Sequence, residues 1–478
     1  MPPVPAPQAG RGDPATRDQV DAYRFGLRRM EAALVRGDPV LRHEQIRAQR
    51  RAVAAGAVLG VLGLLGALVW GFVDPRPPWQ DHDLVVGTPS GALYAVAHGP
   101  DRLVPVANAV AARLVLAALR PSPPRVTAPV LVDDGALAAA PRAPAAAVAG
   151  AVATDPQRHL PPHWAICDEV AAGPAGARLV GTTVVAGGDR DPAPPAGPGA
   201  VLLAVPGGST WLVADGRRHR VDPRDAAARV ALGLVDRVPR PASAGLVSAL
   251  PEGPRLVTPA VPRAGAAGLA GVPARVGDVV TSRPAGGPPR HHLVLVDGLQ
   301  EVPPLAADVL VAASGRPAVD VGPEVVAGVP AVRAVDVAGW PAVAPSLREP
   351  AEAPATCWSW SGDAGADPDG QARIGLPPAA TAVVLAGADG AGPALDAVAV
   401  GAGGTVRAVA AGTPPGAGTR WVVSAGGVAH GVVDDASAAA LGITAPEPAP
   451  EAALRLLPLG PSLDVAAADR AVDVLPAG

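Results

Sequence analysis

From Ala52 to Val73 the chain reads AVAAGAVLGVLGLLGALVWGFV, 22 residues without a charge. At 1.5 Å of rise per helical residue such a run reaches roughly 33 Å, enough to cross a hydrocarbon core about 30 Å thick. A core helix of a soluble protein rarely stays apolar on every side over that length. A secretory signal peptide fits poorly, because 51 residues precede the run and a signal core is only about 7–15 residues long. The stretch that follows, Asp74-Pro75-Arg76-Pro77-Pro78, offers no small-x-small cleavage site. The run therefore predicts one transmembrane helix over 52–73.

The charges divide around it. Residues 1–51 hold ten Arg and six acids, for +4, whereas residues 74–478 hold 29 Arg and 37 acids, for −8. Arg42, Arg47, Arg50 and Arg51 crowd the N-terminal flank, while Asp74 and Arg76 cancel on the other. Excess arginine marks the cytoplasmic flank of a membrane helix. A single-pass protein of the plasma (inner) membrane is expected, with residues 1–51 cytoplasmic and residues 74–478 extracytoplasmic. The acidic outer part argues against nucleic acid as a partner.

All 39 basic residues are Arg, and there is no Lys. That excludes a Walker A phosphate loop, Schiff-base and pyridoxal chemistry, and the S-x-x-K hydrolases. Glycine (57) and proline (59) make up about a quarter of the chain, near the level at which low-complexity disorder sets in. Against that, 49% hydrophobic residues and a mean hydropathy of +0.27 indicate a folded outer part. With 8 Trp, 2 Tyr and 2 Phe, its core must be built from Ala, Val and Leu.

On the inner side, the Pro/Gly-rich residues 1–15 read as a disordered tail. Thr16-x-x-Gln19 reads as a capping box that opens a helix. Val20, Tyr23, Leu27, Met30 and Leu34 follow at alternating spacings of three and four, an apolar stripe on one face. Gly37 and Pro39 end that helix, and Asp38-Pro39 starts a second one expected to run unbroken into the membrane. An amphipathic helix with nothing in its own chain to cover it must find lipid headgroups or a partner protein, and the stripe alone does not choose.

On the outer side, four stretches align when their glycines are superposed: Leu93–Gly99, Thr210–Gly216, His292–Gly298 and Arg420–Gly426. Each has a large residue (Tyr94, Trp211, Leu293, Trp421) five positions before the turn glycine (Gly99, Gly216, Gly298, Gly426). A second short apolar stretch follows, and then an Ala/Leu-rich run with helical spacing. This predicts four ββα-like modules at about 87–119, 207–234, 290–313 and 418–444, with an extended tail over 445–478. The intervals between them are too long for a stacked solenoid, so the modules are expected around a shared β-rich core in an α+β domain.

Both cysteines, Cys167 and Cys357, fall in the outer part, where the oxidising compartment favours a disulfide; a pair of free structural thiols is the alternative. His159-x3-His163-x3-Cys167 has the spacing of helical metal ligands, but Pro161-Pro162 forbids that helix. His291 and His292 point to opposite faces of a strand. Asp133-Asp134 and Asp434-Asp435 sit at turns, where Asp serves as a cap. No G-x-S-x-G elbow and no G-x-G-x-x-G spacing is present. No active site can be assembled, and neither a cofactor nor a metal is expected.

The whole chain nonetheless resembles a known family. Thr16-Arg17-Asp18-Gln19-Val20, Tyr23-Arg24-Phe25 and Leu27-Arg28-Arg29-Met30-Glu31 are close to the N-terminal signature of EccB, the single-pass membrane component of the type VII (ESX) secretion machinery of actinobacteria. The similarity continues through Ala33–Arg36, the apolar run and Ser90–Tyr94. Further landmarks are Trp164–Asp168, Asp215–Arg218, Val276–Val279, Thr356-Cys357-x-Ser359-Trp360 and Leu456-Leu457-Pro458-x-Gly460-Pro461-x-Leu463. The resemblance implies four modules, similar to phage-lysin cell-wall-binding units, around a β-rich centre, with one disulfide at Cys167 and Cys357. It also implies a hexameric membrane complex with EccC, EccD and EccE, contact with the mycosin protease, and docking of the N-terminal helix on cytoplasmic partners. ATP hydrolysis has been attributed to the family; a chain without Lys or P-loop argues for a non-enzymatic scaffold instead. The alternative is a cell-envelope-binding module in which Tyr94, Trp211 and Trp421 stack on sugars.

Overall fold

Thr16 opens the first helix as its sequence predicts. Its amide donates to Gln19 Oε1 at 3.0 Å, the return half of a capping box, and the Val20 amide donates to the Thr16 carbonyl at 3.1 Å. Helix α1 spans Arg17–Arg36 and α2 spans His43–Val73. Within α2, Ala48–Trp70 has a mean hydropathy of 2.4 and none of it is buried. It is the one helix among the described residues long and apolar enough to cross a membrane.

These features come from a computed structural model that describes residues 16–36, 43–73, 78–120, 128–146, 148, 154–174, 176–188, 191–194, 199–410, 413–414 and 416–468. The tail expected at 1–15, the helix start expected at Asp38-Pro39 and the end of the C-terminal tail lie outside them. The chain forms two units, one up to Pro77 and one from Pro78 onward.

The second unit repeats one plan four times. In the first module β1 (Leu84–Thr88), β2 (Leu93–Ala97) and β3 (Arg102–Val106) form an antiparallel meander. Helix α3 (Ala109–Leu119) carries the chain to β4 (Val130–Asp133), which pairs parallel with β1, and the short α4 (Asp134–Ala138) follows. A long central hairpin comes next, β5 (His163–Gly173) and β6 (Gly176–Ala186). The second module is β7 (Val201–Ala204), β8 (Thr210–Ala214), β9 (Arg217–Val221), α5 (Ala226–Ala231), β10 (Arg240–Pro241) and α6 (Ala244–Ala249). The third is β11 (Val279–Ser282), β12 (Arg290–Val294), β13 (Leu299–Val302), α7 (Pro304–Ser314), β14 (Val319–Val321) and α8 (Pro323–Ala327). Strands β15 (Ala355–Ser361), β16 (Gln371–Gly375), β17 (Val383–Val384) and β18 (Ala397–Ala399) return to the centre. The fourth module closes the chain with β19 (Gly404–Val409), β20 (Arg420–Val423), β21 (Ala429–Gly431), α9 (Asp435–Leu441), β22 (Glu447–Pro450) and α10 (Glu451–Leu454).

All four module sheets have the same strand order, third-second-first-fourth, and the centre is a six-stranded sheet ordered β16-β15-β5-β6-β18-β17. The fold is thus the expected α+β arrangement of four modules around a β-rich centre, but each module is βββαβα and larger than a ββα unit. The fourth strands are two to four residues long, too short for alternation to register in the sequence. Three of the crossover helices are capped by the residue before them. Asn108, Asp225 and Asp434 accept the amides of Ala111, Ala228 and Ser437 at 2.9, 3.0 and 2.7 Å, and α7 starts on Pro304 instead.

After its second helix each module sends an extended segment along the free edge of the third strand. The amides of Leu103, Arg218, Leu299 and Ala429 donate to the carbonyls of Pro141, Pro251, Pro330 and Pro458, and the residue two past each proline returns a bond. Proline fits this place because it stops the helix and the pairing never needs its missing amide.

Burial sorts the modules into two pairs. The first and fourth share one core through α3 and α9, which includes Leu84, Leu114, Val422 and Leu441. The second and third share another through α5 and α7, which includes Leu212, Leu232, Leu293 and Leu310. The second and fourth modules turn their other sheet faces, with α6 and α10, onto the central sheet around Trp164, Ile166, Trp358 and Trp360. In the first and third modules the equivalent face is covered by their own α4 and α8. The aliphatic core expected from composition is thus divided into several layers, each fully buried Val or Leu stabilising the fold by about 1.5–3 kcal/mol.

Candidate functional site

The strongest chemistry in the outer unit lies at the joints between modules and centre. Strands β5 and β15 run antiparallel with Cys167 opposite Cys357, and the two form a disulfide with their Cα atoms 4.0 Å apart. Next to it Asp168, 2% exposed, accepts Thr182 Oγ1 at 2.8 Å and the Ser243 amide and hydroxyl at 2.6 and 2.8 Å. Burial pushes its pKa up, and the bonds from Ser243 and Thr182 pull it back. Ser243 caps α6 by accepting the Leu246 amide at 3.1 Å, so the carboxylate fastens the second module to the central sheet. Asp396 accepts the amides of Thr182, Asp389 and Gly390 at 2.7, 2.9 and 2.6 Å. Arg240, also buried, donates to the carbonyls of Ala353 (2.7 Å) and Arg348, pinning the approach to β15 against the second module. These carboxylates are engaged by fixed donors and act as fasteners; the arrangement offers no free base beside a nucleophile.

A second set of joints repeats between modules. His219, 2% exposed, shares a 2.9 Å bond from Nδ1 with the Pro254 carbonyl. At the same place in the fourth module His430 Nδ1 meets the Pro461 carbonyl at 3.0 Å. The third module uses Gln300, whose Nε2 donates to Val335 at 2.6 Å while Oε1 accepts the amides of Ala334 and Val335. Glycine is required beside each imidazole: a Cβ on Gly253 would lie 2.4 Å from His219, and one on Gly460 would lie 2.1 Å from His430. Sequence reasoning missed these latches, although Leu250-Pro251-Glu252-Gly253-Pro254 and Leu457-Pro458-Leu459-Gly460-Pro461 form a shared L-P-x-G-P signal.

The register corrects one assignment. Val96, Val213, Val294 and Val423 pair with the third-strand residues that hold the tails, Leu103, Arg218, Leu299 and Ala429. For the fourth module Val423 pairs with Ala429. Two residues earlier stand Tyr94, Trp211, His292 and Trp421, so His292, not Leu293, occupies the aromatic slot of the third module. Leu293 faces the opposite way, into the core shared with the second module. The cause is where the glycine sits: the Val213–Arg218 and Val294–Leu299 pairs each enclose four residues, but Gly216 is the third of them and Gly298 the fourth, so superposing glycines shifts the phase by one. Gly99 and Gly216 take φ of +75° and +77°, but Gly298 does not; it is needed because a Cβ would come 2.3 Å from the Pro330 carbonyl. In the fourth module Gly427 (φ +81°), not Gly426, takes the left-handed turn position.

Tyr94 is buried in its module with the Arg142 guanidinium 5.7 Å from its ring, and Arg218 lies 4.5 Å over the ring of Trp211. Trp421 is half-buried against the central core and donates from Nε1 to Thr419 Oγ1 at 2.9 Å. Each of the three rings is thus engaged within the fold, by a guanidinium, a hydroxyl or the core. Among the described residues no three His, Cys, Asp or Glu side chains could hold a metal. Asp133 and Asp434 cap α4 and α9 as their turn positions suggest. On α1, the stripe of Val20, Tyr23, Leu27, Met30 and Leu34 is exposed throughout, Leu34 at 87%.

A helix long and apolar enough to span a bilayer, an exposed apolar stripe, and four modules fastened on a central sheet define a class of modular proteins with one candidate membrane helix. Comparison with known proteins makes this specific. The family model described as "Type VII secretion system ESX-1, transport TM domain B" matches residues 13–477. The chain is 36% identical to a relative in Mycobacterium tuberculosis named "ESX-5 secretion system ATPase EccB5", covering 97% of this chain and 94% of that one. Among solved structures, a chain of an intact ESX-5 inner membrane complex matches with a TM-score of 0.68, 33% identity and 98% coverage of each chain. A chain of an EccB3 dimer from an ESX-3 core complex matches at 0.66 with 31% identity, covering 81% of this chain and 99% of that one. The chain belongs to the EccB family of type VII secretion proteins.

Proposed function

We propose that this protein is a structural scaffold of a type VII secretion complex in the inner membrane. Helix α2 anchors it as a single pass, with α1 in the cytoplasm and the four-module domain outside. The exposed stripe of α1 docks on the cytoplasmic parts of EccC, EccD and EccE, and the outer domain associates with further copies of itself in a hexameric assembly and with the mycosin protease. The observation that carries this reading is end-to-end likeness to a chain of an intact ESX-5 inner membrane complex. The likeness to a subunit of a membrane complex favours protein over lipid as the cover for apolar residues as exposed as Tyr23 (70%) and Leu34 (87%).

Relatives carry the word ATPase in their names, which stands against a non-enzymatic role. The chemistry here favours the scaffold: without Lys no Walker-type phosphate loop can be built, and the buried carboxylates already hold backbone and hydroxyl donors. Deleting residues 16–36 should leave the protein membrane-inserted but abolish copurification of the large complex. Undiminished copurification would overturn the docking role of α1. Phosphate release from ATP by the purified full-length chain, at rates a mutant series can trace to this protein, would overturn the non-enzymatic reading.

A further inference from the structure

The second module carries a feature its repeat does not need. Beside the N-terminal end of β8 and the C-terminal end of β9 lies a cleft of about 530 Å³ whose walls include Arg220, Arg224 and Arg255, with Ser209 and Thr210 beside them. All three arginines are exposed, and none of their guanidiniums has a hydrogen-bond or ion-pair partner among the described residues. Their neighbours behave differently: Arg217 pairs with Asp367, Arg218 with Glu252 and Arg237 with Glu349. The one carboxylate on the wall, Asp222, accepts the Arg224 amide at 2.8 Å and holds the turn. Three guanidiniums against one carboxylate make this cleft positive, within an outer part that carries −8 overall.

The repeat itself provides the control. Aligned by the strand register and the tail proline, Arg220 corresponds to Pro105, Glu301 and Gly431 in the other modules. Arg255, four past Pro251, corresponds to Ala145, Ala334 and Ser462. Arg224, just before the helix cap, corresponds to Ala107, Val302 and Val433. None of these nine positions is basic, so folding of the βββαβα plan does not require the arginines. Unpaired like charges brought together raise the energy of the free protein, and an anion that neutralises them recovers it.

We infer that this cleft binds a phosphoryl group. Several guanidinium forks and two hydroxyls supply more donors than one carboxylate can accept, whereas a phosphate presents three or four oxygens at tetrahedral angles. The phosphoryl group comes either from a free phosphate or from a phosphodiester of an envelope polymer or lipid headgroup. The two sources share the site chemistry and differ in charge.

Calorimetric titration of the full-length chain in detergent tests this, with pyrophosphate as the free anion and glycerophosphoglycerol as the soluble diester. Binding of at least one probe is expected, weakening as salt rises. Arg220→Ala/Arg224→Ala/Arg255→Ala should lower affinity at least tenfold without lowering the anion-free Tm. A control replacing the exposed Arg178, Arg263 and Arg333 by Ala should bind as the parent does. Preference for pyrophosphate identifies a free phosphate as the ligand, and preference for the diester identifies the envelope. Equal binding by the triple variant and its parent, or no binding of either probe at low salt, overturns the site.

Discussion

A buried imidazole pressed against a backbone carbonyl makes the closure of the second module sensitive to protons. Burial pushes the His219 pKa below its ordinary value, with the bond to Pro254 acting the other way. Below about pH 6.5 the unfolded chain therefore binds a proton that the folded chain resists, and stability falls as pH falls. His292, lowered by burial, acts with the same sign. Asp168 acts oppositely: its raised pKa costs stability as pH rises above the ordinary carboxylate value. One proton is worth at most about 1.4 kcal/mol per pH unit. His219→Gln should keep the latch, since Gln300 does the same work in the third module, and should flatten the loss of Tm between pH 6.5 and 5. An unchanged pH slope in thermal unfolding would assign the sensitivity to other groups. Nothing about a single His reveals such a role in sequence; the repeated L-P-x-G-P does, but only once the tail is known to lie on the third strand.

At the scale of elements, hairpin register separates what alternation reveals from what it hides. The crossover helices were legible, because Ala109–Leu119 and Asp435–Leu441 combine a cap residue with an apolar face. The third module's aromatic slot was not, since its turn glycine stands one residue further along the equivalent loop and a one-residue slip moves every side chain to the other face. The fourth module's turn makes the point testable. Gly427 has φ +81° and a Cβ there would sit 2.7 Å from Val398 of the central sheet, whereas a Cβ on Gly426 would meet only Ser424 Oγ at 3.8 Å. Gly427→Ala should destabilise by about 2 kcal/mol or more, and Gly426→Ala by no more than about 0.5 kcal/mol. Chemical denaturation of the two variants checks this; equal midpoints would show that the loop can shift to relieve both contacts.

For the whole molecule, the disulfide encloses 190 residues of separation that contain the second and third modules entirely. In the chain-entropy model a loop of that size is worth about 5 kcal/mol through the unfolded state. Cys167→Ala/Cys357→Ala should lower the denaturation midpoint accordingly, and reduction of the parent should reproduce the loss. A variant as stable as the parent would assign that holding to Asp168 and Arg240. Pairing of the first module with the fourth brings chain-distant units together, that of the second with the third joins chain neighbours, and the cross-link sits where β5 and β15 pair within the central sheet.

Sequence alone determined the helix long and apolar enough to cross a membrane, the apolar stripe of α1, the exclusion of lysine chemistry, the number of modules and the location of their helices. Those features are local: an unbroken apolar run, a three-four spacing, a missing residue type, a cap before an alanine run. Only the tertiary structure decided the parallel fourth strands, the tail prolines, the partners of Asp168 and Arg240, and the meeting of Arg220, Arg224 and Arg255 at one cleft. The physical reason is separation along the chain. Asp168 meets Ser243 across 75 residues and Thr182 meets Asp396 across 214, and no periodicity within a segment encodes which distant segment will supply its hydrogen bonds.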